Sequence, residues 1–388
     1  MLSLYLAIKE MTRNKRRFIS VFMIVALITL LVLFTSALGD GLAQGASEYF
    51  ERVSAELLVY QQDVDLQLPA SRLGRARLSQ IRRIPGVAAV GPVGVSTAAI
   101  IAINGKDVPG LDVSMLGVEP LQPGSPVTFA GDSLKDSRAA EAVIDRHVFD
   151  RMHIPIGATI TLKVVQGMNE KHYDLRVVGY AEGRKVNYIP SIFVPLRRWD
   201  QIKPQATPGG GGGEDLVFNI AAVQLDRNAS SRDVAARISA TVSQIEVTDP
   251  ITAYQTTQGY NDMMSTISMQ QSFMLLIVVL IVGSFFQIQT LQKVAQIGML
   301  EAIGASSGMV ILTLLIQVMV TLLVGLGAGA AVMWGMAQVM PASVPIVFSG
   351  SKITITLLSL LFAGPISCLV AARTILKIEP LRALGLSA

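Results

Sequence analysis

The sequence is poor in the residues from which catalytic and metal sites are usually built. Its 388 residues include one cysteine and three histidines, and only 15% are charged, against about a quarter in typical soluble domains. The lone cysteine, Cys368, excludes an intrachain disulfide. His147 and His153 are six positions apart, which does not match the spacing of metal ligands on one helix face. We therefore expect neither a catalytic residue nor a metal site, and we interpret the histidines as solvated.

Nucleotide-binding features are also missing. The chain has no G-x-x-x-x-G-K-[ST] motif, the glycine-rich loop that cradles nucleotide phosphates, so ATP hydrolysis by this chain is not expected. Residues 41–270 carry 22 Lys and Arg against 24 Asp and Glu, a net charge of −2. The positive excess of the chain therefore lies around its apolar segments and gives no indication of nucleic-acid binding. We expect no bound cofactor.

Long apolar segments are what the sequence has in excess. Hydrophobic residues make up 51% of the chain, and the mean hydropathy is +0.51. A bilayer core of about 30 Å needs roughly 20 apolar residues of helix. Four segments without Asp, Glu, Lys, Arg or His are predicted membrane spans: residues 18–38, 273–290, 309–334 and 353–372. The first of these segments is longer than the apolar core of a signal peptide, which favours a membrane anchor over a cleaved leader.

The distribution of basic residues predicts how these spans are oriented. Lysines and arginines are enriched before the first span and after the fourth, as in cytoplasmic flanks. Both termini are therefore expected in the cytoplasm of a multi-pass protein of the cell (inner) membrane. The predicted order is a basic amphipathic helix (1–17), span one (18–38), a stalk (39–56), an extracytoplasmic domain (57–253), a second stalk (254–271), span two (273–290), a cytoplasmic turn (291–308), span three (309–334), an outer loop (335–352), span four (353–372) and a cytoplasmic tail (373–388).

The extracytoplasmic segment has the pattern of an α+β domain. An amphipathic helix over residues 71–83 is followed by strand-like residues 87–90 and 96–103, and a helix over 231–245 is followed by a strand at 246–248. Between these halves, several alternating segments read as strands. The sequence thus predicts a βαβ-like part with an inserted β-rich subdomain, joined to four transmembrane helices.

Two glycines in span three have the spacing of a helix-packing face. Gly325 and Gly329 lie at i and i+4, so they remove side chains from one stripe and allow a second helix to approach closely. Because glycine is also generally more common in membrane helices, the pattern leaves both interpretations open.

Residues 293–306, KVAQIGMLEAIGAS, form a short amphipathic segment between spans two and three. The string resembles the K-x-x-[EQ]-I-G-[IM]-L-[KE]-A-I-G-A-[ST] signature of MacB/FtsX-like permeases, the membrane subunits of mechanotransmitting ABC systems. The basic start at residues 6–17, the I-P-G-V turn at 84–87, the V-V-G strand at 177–179 and the P-L-R-A-L ending at 380–384 are similar to the same family. Within it, the chain looks most like HrtB-type hemin-efflux permeases, with DevC-type exporters as neighbours.

The resemblance implies a homodimeric permease bound to a separate ABC ATPase that holds ATP and Mg²⁺. Segment 293–306 would contain the coupling helix that contacts this ATPase, although Gln296 and Glu301 differ from the residues many members carry there. A periplasmic adaptor is a further candidate partner beside membrane lipid. The coupling residues implied are Gln296, Ile297, Gly298, Met299, Leu300, Glu301, Ala302, Ile303, Gly304 and Ala305.

The function implied by the resemblance is export of a hydrophobic or amphiphilic substrate, with hemin or a lipophilic drug as candidates. Tyrosine and methionine can both ligate haem iron. The alternative for the same side chains is a role as core and interfacial anchors. A signalling lever acting on an extracytoplasmic partner, or release of a lipoprotein or lipid, shares all these sequence features. The candidate substrate-binding residues are Tyr49, Tyr254, Tyr260, Met263, Met264 and Met269.

Overall fold

The computed structural model describes residues 9, 11–13, 15–186, 188–205, 216–256, 260–291, 307–340, 344, 346–348, 350, 353–362 and 365. The chain forms two compact units. We call Met1–Leu42 with Met263–Ala388 the helical unit, and Ala43–Asp262 the α+β unit. The helices are α1 (Lys15–Arg52), α2 (Arg75–Ile81), α3 (Arg146–Met152), α4 (Leu196–Ile202), α5 (Ser231–Thr241), α6 (Pro250–Gln255), α7 (Tyr260–Leu291), α8 (Ser307–Val339) and α9 (Ile353–Phe362).

Twelve strands are described in the α+β unit. Ten of them belong to one sheet, and β2 and β10 form a separate two-stranded sheet. The strands are β1 (Leu57–Gln61), β2 (Leu73–Gly74), β3 (Val87–Ile103), β4 (Lys106–Val118), β5 (Thr128–Gly131), β6 (Glu141–Asp145), β7 (Thr159–Gln166), β8 (Asn169–Ala181), β9 (Ser191–Pro195), β10 (Val217–Phe218), β11 (Ile220–Leu225) and β12 (Ile245–Thr248).

The helical unit contains three of the four predicted spans as long apolar helices. Among the described residues, three helices are long and apolar enough to cross a membrane, within α1, α7 and α8. The fourth predicted span, 353–372, is described as helix over Ile353–Phe362, and most of its remaining residues lie outside the described part. The count of four spans therefore stays a prediction.

One part of the α+β unit has the ferredoxin-like arrangement of two split βαβ units. Strand β1 leads through α2 to β3, and β11 leads through α5 to β12. The four strands lie in the order β12-β1-β11-β3, and each neighbouring pair is antiparallel. This arrangement places both helices as crossover connections beside the sheet. The similar patterns of the two halves in the sequence correspond to these two βαβ units.

The inserted part closes on itself. Strand β3 pairs with β4, β4 with β9, β9 with β6, β6 with β8, β8 with β7, and β7 again with β3. These pairings make a ring of six strands, in which the β4–β9 and β6–β8 pairs are parallel. Inward-facing apolar side chains from the ring, among them Ile100, Met115, Ile144 and Leu162, are fully buried in the main core. Closure removes sheet edges that would otherwise be exposed.

Several predicted boundaries differ from the structure for local reasons. The strands expected at 87–90 and 96–103 are one continuous strand, β3, because it changes partners from β11 to β4 and β7 without breaking. The helix expected over 71–83 is shorter, since Leu73 and Gly74 pair with β10. Helix α1 ends at Arg52, four residues before the predicted end of the first stalk. The predicted second stalk, 254–271, is divided between α6 and α7.

Candidate functional site

The last turns of α1 are held in the α+β unit by a buried carboxylate. The side chain of Glu48 is 7% exposed, and its Oε1 and Oε2 lie 3.0 and 3.1 Å from His147 Nε2. Because an ionised carboxylate only accepts hydrogen bonds, His147 Nε2–H is the donor. The predicted interpretation of His147 as a solvated histidine is therefore wrong. The interaction links α1 to the first turn of α3, 99 residues along the chain.

The segment after β8 completes this attachment of α1. Arg52 Nη1 donates a 2.6 Å hydrogen bond to the carbonyl oxygen of Gly183, and the backbone N–H of Lys185 donates to Glu48 Oε2 at 3.4 Å. A Cβ atom at Gly183 would lie 2.5 Å from His147 Nε2 and 2.6 Å from Glu48 Oε1. A larger residue here would have to displace the His147 or Glu48 side chain, so glycine lets this segment approach α1 without disturbing their hydrogen bond. We call Glu48, Arg52, His147 and Gly183 the α1 latch.

A donor-rich cluster lies beside the latch. Tyr49 and Tyr60 are fully buried and Arg184 is 4% exposed. Both tyrosine hydroxyls and the Nε and Nη1 of Arg184 have no hydrogen-bond partner among the described residues. Burial lowers the pKa of the Arg184 guanidinium from its ordinary value and raises the pKa of Tyr60. Groups of this kind are satisfied by buried water or by an anionic oxygen.

Asp145 fixes the backbone around the cluster. Its Oδ1 accepts from the N–H of Val148 at 2.8 Å and caps α3, and its Oδ2 accepts from the N–H groups of Ser191 at 2.9 Å and Arg184 at 3.4 Å. Burial raises the pKa of this carboxyl, and the three backbone donors only partly offset that effect. One carboxyl thus ties α3, β9 and the segment carrying Arg184 together.

In the helical unit, the two glycines of the predicted packing face lie against α1. A Cβ atom at Gly325 would lie 2.6 Å from Val25 Cγ1, and one at Gly329 would lie 2.6 Å from the carbonyl oxygen of Ala26. At Gly327, on the same helix, a Cβ would meet nothing within 4 Å. The helix backbones of α1 and α8 therefore approach most closely along one stripe of α8.

The structure brings the three predicted tyrosines into one aromatic row. Tyr49 and Phe50 stack edge to face at 5.4 Å between ring centroids, Phe50 lies 6.4 Å from Tyr254, and Tyr254 lies 5.6 Å from Tyr260. Tyr49 is fully buried, whereas Tyr254 and Tyr260 are partly exposed. Tyr254 and Tyr260 are therefore accessible to a ligand and Tyr49 is not.

The predicted methionines follow on α7. Met263 and Met264 come three and four residues after Tyr260, which is the spacing of one helix face, and both are partly exposed. Met269 is 62% exposed. Exposed thioethers on an apolar helix are adaptable contacts for a hydrophobic ligand.

Two further predictions from the sequence concern the coupling helix and metal binding. The coupling residues, 296–305, lie outside the described residues. Within the described part of the chain, no group of three or more His, Cys, Asp and Glu side chains is placed to hold a metal ion. The sequence prediction missed Glu48 and Gly183. No signal in the sequence marked either residue, because Asp40 and Glu51 lie in the same helical stretch as Glu48 and nothing sets Gly183 apart from other glycines.

Two family models match the chain and together cover most of it. Residues 18–241 match the MacB-like periplasmic core domain. Residues 272–380 match the FtsX-like permease C-terminal domain. The chain belongs to the MacB/FtsX permease family. This result confirms the family predicted from the sequence, including from the string at 293–306.

Two relatives align with nearly the whole chain. The chain is 23% identical over 380 residues to HrtB of Staphylococcus haemolyticus (strain JCSC1435), named as a permease protein of a hemin transport system, covering 98% of this chain and 99% of the relative. HrtB of Staphylococcus epidermidis (strain ATCC 12228) gives the same identity and coverage. The chain is thus an ABC transporter permease of MacB/FtsX type, which implies an ATPase partner.

Two solved structures show a distant similarity to part of the chain. The periplasmic region of MacB from Actinobacillus actinomycetemcomitans covers 54% of this chain and 96% of its own length, with 12% identity and a TM-score of 0.37. The extracellular domain of the ABC-type transporter YknZ covers 50% of this chain and all of its own length, with 13% identity and a TM-score of 0.33. The match to the periplasmic core domain family and the strand pairings described above give this permease a large extracytoplasmic α+β domain in addition to its apolar helices.

Proposed function

We propose that this permease extrudes an amphiphilic substrate by transmitting ATP-driven motion of a separate ATPase to its extracytoplasmic domain through α1. The observation that supports this proposal is that α1 is one unbroken helix of 38 residues, about 57 Å long at 1.5 Å per residue. A bilayer core of about 30 Å needs only roughly 20 of those residues. The latch residues Glu48 and Arg52 hold the far end of the same helix in the α+β unit.

The other parts of the proposed mechanism are those that membership of the family implies. Two copies of the chain form a homodimer, each bound to one ATPase that carries ATP and Mg²⁺, and both termini are cytoplasmic. Residues 296–305 form the coupling helix. The predicted spans contain no charged side chain or histidine at mid-depth, which suits a mechanical lever better than a proton relay or an aqueous channel.

Hemin is the proposed substrate, because the relatives that span the whole chain are named for hemin transport. The accessible members of the aromatic row, Tyr254 and Tyr260, and the neighbouring Met263, Met264 and Met269 supply oxygen and sulfur ligands of the kinds that bind haem iron. A porphyrin is also flat and apolar, so it can stack on aromatic rings.

A helix break in α1 tests the lever. Gln44 is exposed on α1, and proline there removes one backbone hydrogen bond and clashes with the preceding turn. In a deletion strain, we expect Gln44→Pro to reach the membrane and to co-purify with the ATPase but not to restore hemin tolerance. Gln44→Ala, the matched control, keeps the helix and restores tolerance. Full tolerance with Gln44→Pro would contradict the lever.

The same strain distinguishes export from a signalling role or lipoprotein release. Export predicts that deletion lowers tolerance to hemin or lipophilic drugs. Unchanged tolerance together with altered cell-wall hydrolysis would reject export in favour of a lever that regulates an extracytoplasmic partner. Unchanged tolerance with retained lipoproteins would reject it in favour of lipoprotein release.

Absorption spectra test the hemin ligands directly. Hemin added to the purified full-length protein in nanodiscs should show a shifted Soret band, and Tyr260→Phe or Met264→Leu should change that band. Tyr49→Phe is the matched control, because Tyr49 is buried and should leave the spectrum unchanged. A Soret band that is identical in all three variants would remove the ligand assignment.

The coupling assignment has a separate test. We expect Gly298→Trp to abolish the ATPase stimulation that the permease gives its partner, since a large side chain would displace the coupling helix. Wild-type ATPase rates in this variant would remove residues 296–305 from the interface.

A further inference from the structure

A cavity of about 740 Å³ lies within the α+β unit, where the sheet has a gap. Strand β3 pairs with β11 up to Val93 and with β7 from Ala99 onward. Between these two residues, no described strand covers that edge of β3. Ligand pockets for small molecules are typically about 300–1,000 Å³, so the volume suits a molecule of drug size.

The backbone edge at this gap is only partly satisfied. The N–H of Val95 donates to Asn219 Oδ1 at 2.6 Å, and the amide of Asn219 donates in turn to the carbonyl oxygens of Leu68 and Ser71. Asn219 thus replaces a strand at one position. Thr97, the next residue whose backbone points to the same side, lines the cavity and is exposed. Its side chain, with the hydroxyl group, is therefore accessible to a ligand.

One wall of the cavity is fixed by Trp199 of α4. Its indole Nε1–H donates to Ser96 Oγ at 2.9 Å. The ring lies against β3 and β4 where each has a glycine, since a Cβ at Gly94 would lie 2.6 Å from the indole and one at Gly117 would overlap Trp199 Cγ. Glycines inside strands often mark such close approaches. The wall is therefore rigid and partly aromatic.

The described residues that line the cavity carry positive charge. Among the described lining residues there are two cations, Arg72 and Lys203, and no Asp or Glu. Lys203 Nζ is neutralised by Asp200 Oδ1 at 2.7 Å and lies 4.7 Å from the Trp199 ring centroid. Arg72 Nη1 donates to the carbonyl oxygens of Pro69 and Ser71, which orient the guanidinium without cancelling its charge. Arg72 therefore supplies the net charge.

We infer that this cavity binds an anionic aromatic amphiphile, whose flat apolar body lies beside Thr97, Val95 and Ile189 and whose carboxylate or sulfonate pairs with Arg72. Val95 and Ile189 are partly exposed and supply the apolar contacts, whereas Trp199 and Phe218 are 3% and 1% exposed and line the cavity from within the core. The guanidinium favours a planar anionic group, because it can donate two parallel hydrogen bonds. The site belongs to the α+β unit alone and stands whether or not the chain exports hemin.

Fluorescence in the full-length protein tests the site. The chain has two tryptophans, so Trp334→Phe leaves Trp199 as the sole donor. We expect 8-anilinonaphthalene-1-sulfonate to give saturable energy transfer from Trp199 in zwitterionic nanodiscs, above an empty-nanodisc blank. N-phenyl-1-naphthylamine has the same rings without the sulfonate, and we expect it to bind about tenfold more weakly or worse, as for the loss of a charge-assisted contact.

Substitutions at Arg72 test whether its charge pairs with the sulfonate, and a substitution at Thr97 tests whether the probe lies in the cavity. In the same background, Arg72→Gln should weaken sulfonate binding by about tenfold or more, while Arg72→Lys should retain most of it. Arg75→Gln, an exposed neighbour on α2, is the matched control and should leave it unchanged. Thr97→Phe fills the cavity and should abolish transfer without lowering the unfolding temperature.

Three results would overturn the inference. Equal binding of the neutral and sulfonated probes would make the cavity an apolar docking surface rather than an anion site. Unchanged sulfonate binding in Arg72→Gln would remove the assigned counter-charge. Full energy transfer in a folded Thr97→Phe variant would place the probe outside the cavity. If Arg72→Gln unfolds, the comparison of the sulfonated and neutral probes and the Thr97→Phe variant still test the inference.

Discussion

Substituting the glycines of α8 one at a time measures how tightly α1 and α8 pack. In lipid, helices are held together mainly by van der Waals contact and hydrogen bonds, because lipid tails are as apolar as the side chains. Gly329→Ala places a methyl group 2.6 Å from the carbonyl oxygen of Ala26. The helices must then separate, since a backbone oxygen cannot rotate away. Gly327→Ala meets nothing within 4 Å.

The magnitude follows from comparing the two variants. Both gain the same helix propensity, about 1 kcal/mol for Gly to Ala, so their difference isolates the steric effect. Ordinary contact at such a site begins near 3.4 Å, which requires a separation of roughly 0.8 Å, and a gap of that size forfeits about a quarter to a half of each dispersion contact. Overpacking of this kind typically costs about 1–3 kcal/mol. We expect Gly329→Ala to be less stable than Gly327→Ala by that amount.

Gly325→Ala should fall between these variants. Its methyl would lie 2.6 Å from Val25 Cγ1, which can rotate away, and 2.8 Å from Val25 Cβ, which cannot. The overlap with fixed atoms is therefore smaller than at Gly329. The assay is reversible unfolding of the full chain in mixed micelles as the fraction of sodium dodecyl sulfate rises. If all three variants unfold within about 0.3 kcal/mol of each other, below the additivity error for independent sites, close packing of α8 on α1 is refuted.

Three further predictions concern the α+β unit, each measured on the full chain. Gly117→Ala should destabilise the α+β unit by about 1–3 kcal/mol, because the new methyl overlaps Trp199. Gly110→Ala, on the same strand, meets nothing within 4 Å and should be neutral. Equal unfolding temperatures of the two variants would contradict this prediction. Asp145→Asn should cost about 1–3 kcal/mol, since an amide nitrogen would face a backbone N–H donor; no change in unfolding temperature would disprove it. Asp249→Ala removes the α6 cap and should speed local amide exchange by the equivalent of about 1 kcal/mol. The slight burial of Asp249 opposes ionisation, but hydrogen bonds outweigh it and lower the pKa, so this contribution is present above about pH 4 and is lost as pH falls through the folded-state pKa. Asp249→Asn keeps a cap and should not show that pH dependence.

The family and the apolar helices were predictable because their signals are local. Charge-free runs of about 20 residues identify membrane helices. The string at 293–306, together with the short motifs at 6–17, 84–87, 177–179 and 380–384, carries the resemblance to the family. Alternating apolar residues indicated the strands of the α+β unit. The spacing of Gly325 and Gly329 indicated one stripe of α8, but the residues of α1 that face it are about 300 positions away in the chain and no periodicity reveals them.

The candidate site was predicted less well, for a related reason. Tyr49, Tyr254 and Tyr260 were selected for their chemistry, and burial then separated the first from the other two. Glu48 and His147 are 99 residues apart, so their contact depends on how β6 and α3 are placed by the sheet. Glycines at 94 and 117 look like weak strand residues in the sequence, and only the position of Trp199 explains them.

The sequence by itself determined the membrane class of this protein, its permease family and the α+β character of its large domain, because hydrophobic runs, motifs and alternation are properties of neighbouring residues. Only the tertiary structure decided that six strands close into a ring, that β3 leaves a gap beside Trp199 and that a buried glutamate holds the end of α1. Those features depend on contacts between residues far apart in the chain, whose formation is governed by packing and burial of the whole domain rather than by local propensity.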